Sequence, residues 1–217
     1  MRLPRIVRKI CATLGITLLV VGCAYYYAIT PHHSSAPPES ADGLLYRADT
    51  LAWGNRWADA LPLYQKAQQL YTAQHEPSKA LSAQVSQIPP NESVSIPATL
   101  WALTQDLARP EAADPETRLR ILTIRGMLET NYDALQARST WQDVAALAIK
   151  LHHYELATRA TGEQGIAAFI LGDTETAKKQ VIRAWGLSKV ENDPAATVRY
   201  ASVFGAGLIV LFIGVPR

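Results

Sequence analysis

Small residues recur in this chain at helical spacing, and they limit the fold more than any other feature. Ala60, Tyr64 and Ala67 stand at i, i+4, i+7, and Ala177, Val181 and Ala184 repeat that spacing. Gly126, Gly165 and Gly205 lie 39 and 40 residues apart, each inside an apolar helical pattern. A glycine inside a helix costs about 1 kcal/mol relative to alanine. Three at near-regular intervals therefore predict places where helix axes come unusually close. Long period-2 runs of β-branched residues, the mark of strands, are nearly absent. The expectation is an all-α chain whose helices pack through small residues.

The periodicity resolves into hairpins. A first helix is expected from Leu44 to Ala52, a turn at Gly54-Asn55, and a second helix from Trp57 to Tyr71. Trp57, Ala60, Leu61, Tyr64 and Ala67 share one face of the second helix. Pro62 falls in its first turns and is best tolerated if the helix starts near Asp59. The Gly126 helix is followed by one over Ser139 to Leu151, carrying Trp141, Ala145 and Ala148. The Gly165 helix is followed by one over Thr174 to Leu187, after a Gly172-Asp173-Thr174 turn in which Asp173 or Thr174 is the N-cap. Between the first and second hairpins, Glu76 to Glu116 holds six prolines. One short helix fits there, between Ala98 and Ala108, docked by Trp101, Leu103 and Leu107. Asp114-Pro115-Glu116 then reopens a helix.

The segment 43–72 resembles a tetratricopeptide repeat. Ala48 occupies the small position of its first helix and Leu51 the following large one. Trp57 takes the aromatic position between helices, and Ala60, Tyr64 and Ala67 the small-aromatic-small triplet. Segments 117–152 and 153–190 repeat the layout, while 73–116 reads as a proline-rich insertion. A generic amphipathic hairpin is the alternative on the same residues. The resemblance implies a right-handed α-solenoid of helix-turn-helix repeats whose first helices line a groove for a protein or peptide. By register, Asp49 and Trp53, Thr123 and Met127, and Arg159, Ile166, Phe169 and Ile170 face that groove, unless the apolar ones pack on the next repeat. Trp53, Arg120, Met127, Arg159 and Phe169 are the candidate binding residues. Arg120 and Arg159 could meet an acidic peptide, or pair at i±4 with Glu116 and Glu163. The lysine/asparagine clamp by which some relatives hold acidic chain ends is missing. Leu45, Asp49, Thr123 and Met127 stand at those positions, which disfavours that class of partner.

The N-terminus reads as an address. Residues 10–29 carry no charge and follow Arg2, Arg5, Arg8 and Lys9. About 20 residues at 1.5 Å each span a bilayer core of about 30 Å. The preceding cations place the N-terminus in the cytoplasm and the body outside it, so a single transmembrane or signal helix in a bacterial inner membrane is expected. Val20-Val21-Gly22-Cys23 resembles a bacterial lipobox, which makes lipidation of Cys23 the alternative. A flexible spacer follows over 31–42. Removing the four leading cations from the 21 basic residues leaves 17 against 19 acidic ones, a near-neutral body unsuited to nucleic acid. Both cysteines, Cys11 and Cys23, lie in the apolar segment, so the body has no disulfide and no thiolate chemistry. At the other end, 193–217 reads as a lone apolar helix and an incomplete repeat. It is read either as a membrane segment over Ala201 to Val215 or as the break in a longer repeat protein.

Catalytic signals are missing. There is no phosphate-loop pattern and no nucleophile elbow. Gly162-Glu163-Gln164-Gly165 lies in an apolar helical pattern, not a phosphate loop. His152 and His153 read as a solvated turn between helices, since adjacent side chains on a helix diverge, and His32-His33 as part of the solvated spacer. No metal site and no cofactor are expected. The function expected is a membrane-anchored, extracytoplasmic, non-catalytic scaffold for protein–protein interaction. The alternative is the anchor and sensory array of a longer signalling or effector protein.

Overall fold

A computed structural model describes residues 39–89 and 95–213, all but the first of which belong to one compact unit, Ser40–Arg217. Among the described residues nine α-helices follow one another and there is no strand. They are α1 (Ala41–Trp53), α2 (Trp57–Ala73), α3 (Pro77–Val85), α4 (Ile96–Leu107), α5 (Pro115–Tyr132), α6 (Ala134–Lys150), α7 (Tyr154–Ile170), α8 (Thr174–Val190) and α9 (Pro194–Ile213), with a 3-10 turn at Pro110–Ala113 before α5. Packing is sequential. From α1 to α3 and again from α5 to α9 each helix lies on the next, while α3 and α4 both lie on α5. The apolar segment 10–29, Cys23 and most of the spacer fall outside the described residues.

Five of the turns are built alike. Asn55, His75, His152, Gly172 and Asn192 each take a positive φ, between 56° and 78°. In each turn that residue's N–H donates to the carbonyl three residues back, and the next N–H reaches five residues back. Examples are Arg56 N to Leu51 O at 2.8 Å and His153 N to Ala148 O at 2.8 Å. This double bond pattern satisfies carbonyls that a helix end leaves orphaned. A left-handed residue other than glycine costs about 1–2 kcal/mol, and asparagine carries that cost more easily than histidine. The α5–α6 link differs. Asp133 keeps a negative φ of −144°, and its side chain caps α6 by accepting from Gln136 N. Asp173 caps α8 by accepting from Thr176 N at 3.1 Å, the role its place after Gly172 predicts.

The glycines show what small residues do here. A Cβ on Gly126 would stand 2.8 Å from Trp141 Cε2, and one on Gly165 2.8 Å from Val181 Cγ2. Both are closer than carbon atoms tolerate. Trp141 is fully buried between the paired helices, and its Nε1–H donates to Thr130 Oγ1 at 2.9 Å. Gly205 breaks the series, because a Cβ there meets nothing within 4 Å. The tightest approach is at Gly162 instead, where a Cβ would overlap the Tyr200 ring.

Three details depart from the sequence reading. The proline-rich segment holds two helices, α3 and α4, rather than one. Pro77, Pro97, Pro110 and Pro115 stand at the first or second helical position, where a missing N–H breaks no bond. They start helices here rather than exclude them. Trp101 does not dock α4, since it is 67% exposed, whereas Leu103 is fully buried. Finally, α2 starts at Trp57, so Pro62 lies inside it and the Ala58 carbonyl loses its i+4 donor. No helix among the described residues is long and apolar enough to cross a membrane.

Candidate functional site

Four stretches of chain bound a groove of about 650 Å³. Tyr46, Asp49, Thr50 and Trp53 come from one face of α1. Glu116, Leu119, Arg120 and Thr123 come from the first turns of α5 at the same i, i+3, i+4, i+7 spacing. The turn into α7 and its first turns give His152 to Leu156 and Arg159, and the turn into α9 gives Asn192 to Ala195.

Ion pairs between helices hold the walls. Arg120 donates to both Asp49 oxygens at 2.6 Å, a forked pair between α5 and α1. Tyr64 of α2 donates from below to Asp49 Oδ1 at 2.8 Å. Burial first, then the neighbouring carboxylate, pushes the Tyr64 hydroxyl well above its usual range, so it remains a donor. Burial works against the Arg120 charge, but Asp49 outweighs it and the guanidinium is held more firmly protonated than usual. On the opposite wall Arg159 Nε donates to Asp193 Oδ2 at 2.6 Å. The guanidinium lies over the Trp53 ring at 4.4 Å from its centroid. Asp193 also caps α9 by accepting from Ala196 N at 3.1 Å. Burial tends to raise its pKa. The hydrogen bond from Arg159, the amides of Ala196 and Ala195 and the Arg159 charge hold it below the carboxylate range nonetheless. His153 Nε2 meets the Glu116 carboxylate at 2.8–2.9 Å, and His152 Nδ1 meets the Tyr154 hydroxyl at 3.1 Å.

Of the residues chosen from sequence, Trp53, Arg120 and Arg159 come together on this groove, with Asp49 and Thr123. Met127 and Phe169 do not line it. Met127 lies one turn past Thr123 and packs half-buried between two core clusters. Phe169 is ten residues beyond Arg159, about 15 Å further along α7, and 37% exposed there. Ile166 packs beside Val181, Ala184 and Tyr200, and Ile170 is exposed outside the groove. The i±4 pairs expected for Arg120 and Arg159 do not form, because Asp49 of α1 and Asp193 at the cap of α9 pair with the guanidiniums instead. Glu163, buried, pairs instead with Arg199 at 2.5 and 2.7 Å.

Several lining residues went unnoticed in the sequence. Tyr46 is 74% and Tyr154 57% exposed, and both rings border the groove beside His152 and His153, which lie exposed at the turn into α7. The signal for Tyr46 was present, since it begins the i, i+3, i+4, i+7 face that ends at Trp53. Among the described residues no group of three histidine, cysteine, aspartate or glutamate side chains converges as a metal site would require.

The class the fold defines is an all-helical protein of sequentially packed helices with a charged, aromatic-lined groove in the described unit. No family model, no curated protein and no solved structure matches the chain.

Proposed function

We propose that the chain is a membrane-anchored, extracytoplasmic, tetratricopeptide-like scaffold that holds a protein or peptide in the groove between α1, α5 and α7 and catalyses nothing itself. One observation carries the reading. The groove's arginines are tied to aspartates of other segments, Arg120 to Asp49 of α1 and Arg159 to Asp193 at the cap of α9, while aromatic rings stay exposed at its rim. Such walls are set before a partner arrives, which spares the ordering cost of binding. Rigid polar walls beside free aromatic surface are the composition of recognition sites.

The solenoid reading draws support from the turn geometry. Asn55 and His75 are separated by one helix, as are His152, Gly172 and Asn192, each interval being 20 residues. Two helices per 40 residues, packed small on large at Gly126–Trp141 and Gly165–Val181, fit a helical-repeat array. The anchor rests on the uncharged segment 10–29 behind its four cations.

Photo-cross-linking tests the groove. A photoreactive residue replaces Tyr46 in one form of the full chain and Val190, which is 80% exposed and outside the groove, in another. A specific adduct from position 46 is expected, abolished by Trp53→Ala. Equal capture at both positions would refute the assignment.

A further inference from the structure

The charges that line the groove bear on what it can hold, an inference that rests on the groove being the binding surface. Four carboxylates line it, those of Asp49, Glu116, Glu155 and Asp193, against two guanidiniums, those of Arg120 and Arg159. Both guanidiniums already face a carboxylate of the lining. Arg120 spends its fork on Asp49, and Arg159 is held by Asp193 on one side and covered by the Trp53 ring on the other. The exposed remainder of the lining includes two carboxylates, two tyrosine rings and the imidazoles of His152 and His153. Glu116 is 57% exposed and pairs with the imidazole of His153. Glu155 is exposed one position after Tyr154. Its charge is felt as far as Glu191, whose pKa is raised by burial and then, past the opposing hydrogen bond from Thr158, by Glu155 and Asp193. Tyr46 and Tyr154 present exposed rings beside these carboxylates.

We propose that the groove accepts a cationic stretch of polypeptide, one bearing lysine or arginine side chains, and rejects acidic ones. A lysine or arginine head entering between Glu116 and Glu155 finds two exposed carboxylates, neither paired with a lysine or an arginine, and aromatic faces suited to a cation. Its methylene stem can lie on the Tyr46 or Tyr154 ring. The arrangement of Arg159 on Trp53 shows that this wall already tolerates such stacking. An acidic segment would meet four carboxylates and would compete with Asp49 and Asp193 for the two guanidiniums.

The test measures anisotropy of three labelled hexapeptides, Lys-Ala, Glu-Ala and Gln-Ala repeats, titrated with the full chain in uncharged detergent micelles. The lysine peptide is expected to bind and to weaken as salt rises. The double variant Glu116→Gln/Glu155→Gln, whose side chains are exposed and hold no core, should lose about fivefold in affinity for it. Preference for the glutamate peptide overturns the proposal, as does lysine binding that the double variant leaves unchanged. Absence of binding by all three peptides also overturns it. The two readings fail separately. Glutamate-peptide binding lost on Trp53→Ala would keep the groove and discard the cation, whereas a silent cross-link at position 46 would discard the groove itself.

Discussion

Gly162→Ala is the sharpest test of the packing. Helix propensity alone predicts stabilisation by up to about 1 kcal/mol, because Gly162 lies inside α7 and alanine is the better helix former. The structure predicts the opposite. A Cβ at 162 would overlap the Tyr200 ring, and even Cε2 of that ring would be 2.7 Å away, about 1 Å inside carbon contact distance. The ring has nowhere to go. Tyr200 is fully buried, and its hydroxyl donates to Arg159 O at 2.8 Å and reaches Glu163 Oε1 at 3.3 Å. Glu163 is in turn locked to Arg199. Overpacking costs about 1–3 kcal/mol, and displacing the hydroxyl loses about 1 kcal/mol more. Against the propensity gain, the net expectation is a destabilisation of about 2 kcal/mol. Urea unfolding followed by circular dichroism measures it, with Gly205→Ala as control. There the new methyl meets nothing, so the midpoint should hold or rise. Tyr200→Leu should shrink the Gly162→Ala penalty in a double-mutant cycle. A Gly162→Ala protein as stable as the wild type would refute the close approach of α7 and α9.

Other perturbations follow from the ion pairs. Asp49→Ala leaves Arg120 without its carboxylate and Tyr64 without its acceptor, so a loss of about 2 kcal/mol is expected in urea unfolding. Asp49→Asn, which keeps an acceptor, should lose less, and equal losses would contradict the hydrogen-bond assignment. Glu191→Gln should stabilise by about 0.5 kcal/mol at neutral pH. Glu191 Oε2 is buried without a partner, Oε1 accepts from Thr158 at 2.9 Å, and an amide keeps that acceptor while removing the charge. Because burial raises the Glu191 pKa, its ionised form costs stability above that raised value and the cost vanishes as pH falls through it. The advantage of the glutamine variant should therefore close in acid. Asp193 runs the other way. Its folded-state pKa lies below the ordinary 3.8, so its contribution is complete above that value and is lost as pH falls through the folded one. Asp193→Asn should consequently show a smaller drop in urea midpoint between pH 5 and pH 3 than the wild type, and an identical drop would exclude Asp193 from acid unfolding.

How much of this was legible depends on how far apart in the chain the partners lie. Helical state could be read directly, because small residues at i, i+4, i+7 report local period, and Gly54-Asn55 and Gly172-Asp173 announce their turns. Contacts within a hairpin could be read too. Gly126 and Trp141 are neighbours across one turn, so a glycine in one helix and a large ring in the next predict each other. Contacts one layer further out could not. Arg120 and Asp49 are 71 residues apart, and Arg159 and Asp193 are 34 apart. With only i±4 spacing to consult, the sequence offered Glu116 and Glu163, both on the arginines' own helices. Glu163 shows why that rule failed. It is 3% exposed, on the face of α7 turned towards α9, where Arg199 meets it, while Arg159 one turn earlier turns to the groove. α3 was lost for another reason. At nine residues it is too short to show a period, and the prolines around it look like breakers until their places at helix starts are known. That helix also decides the site. Ala83 packs with Leu44 and Tyr71 on one side, and Leu81 and Val85 pack with Ile121 and Ile124 of α5 on the other. α3 thus carries α5 to within reach of α1 and lets Arg120 find Asp49. The groove is a product of the segment that the sequence reading treated as an interruption.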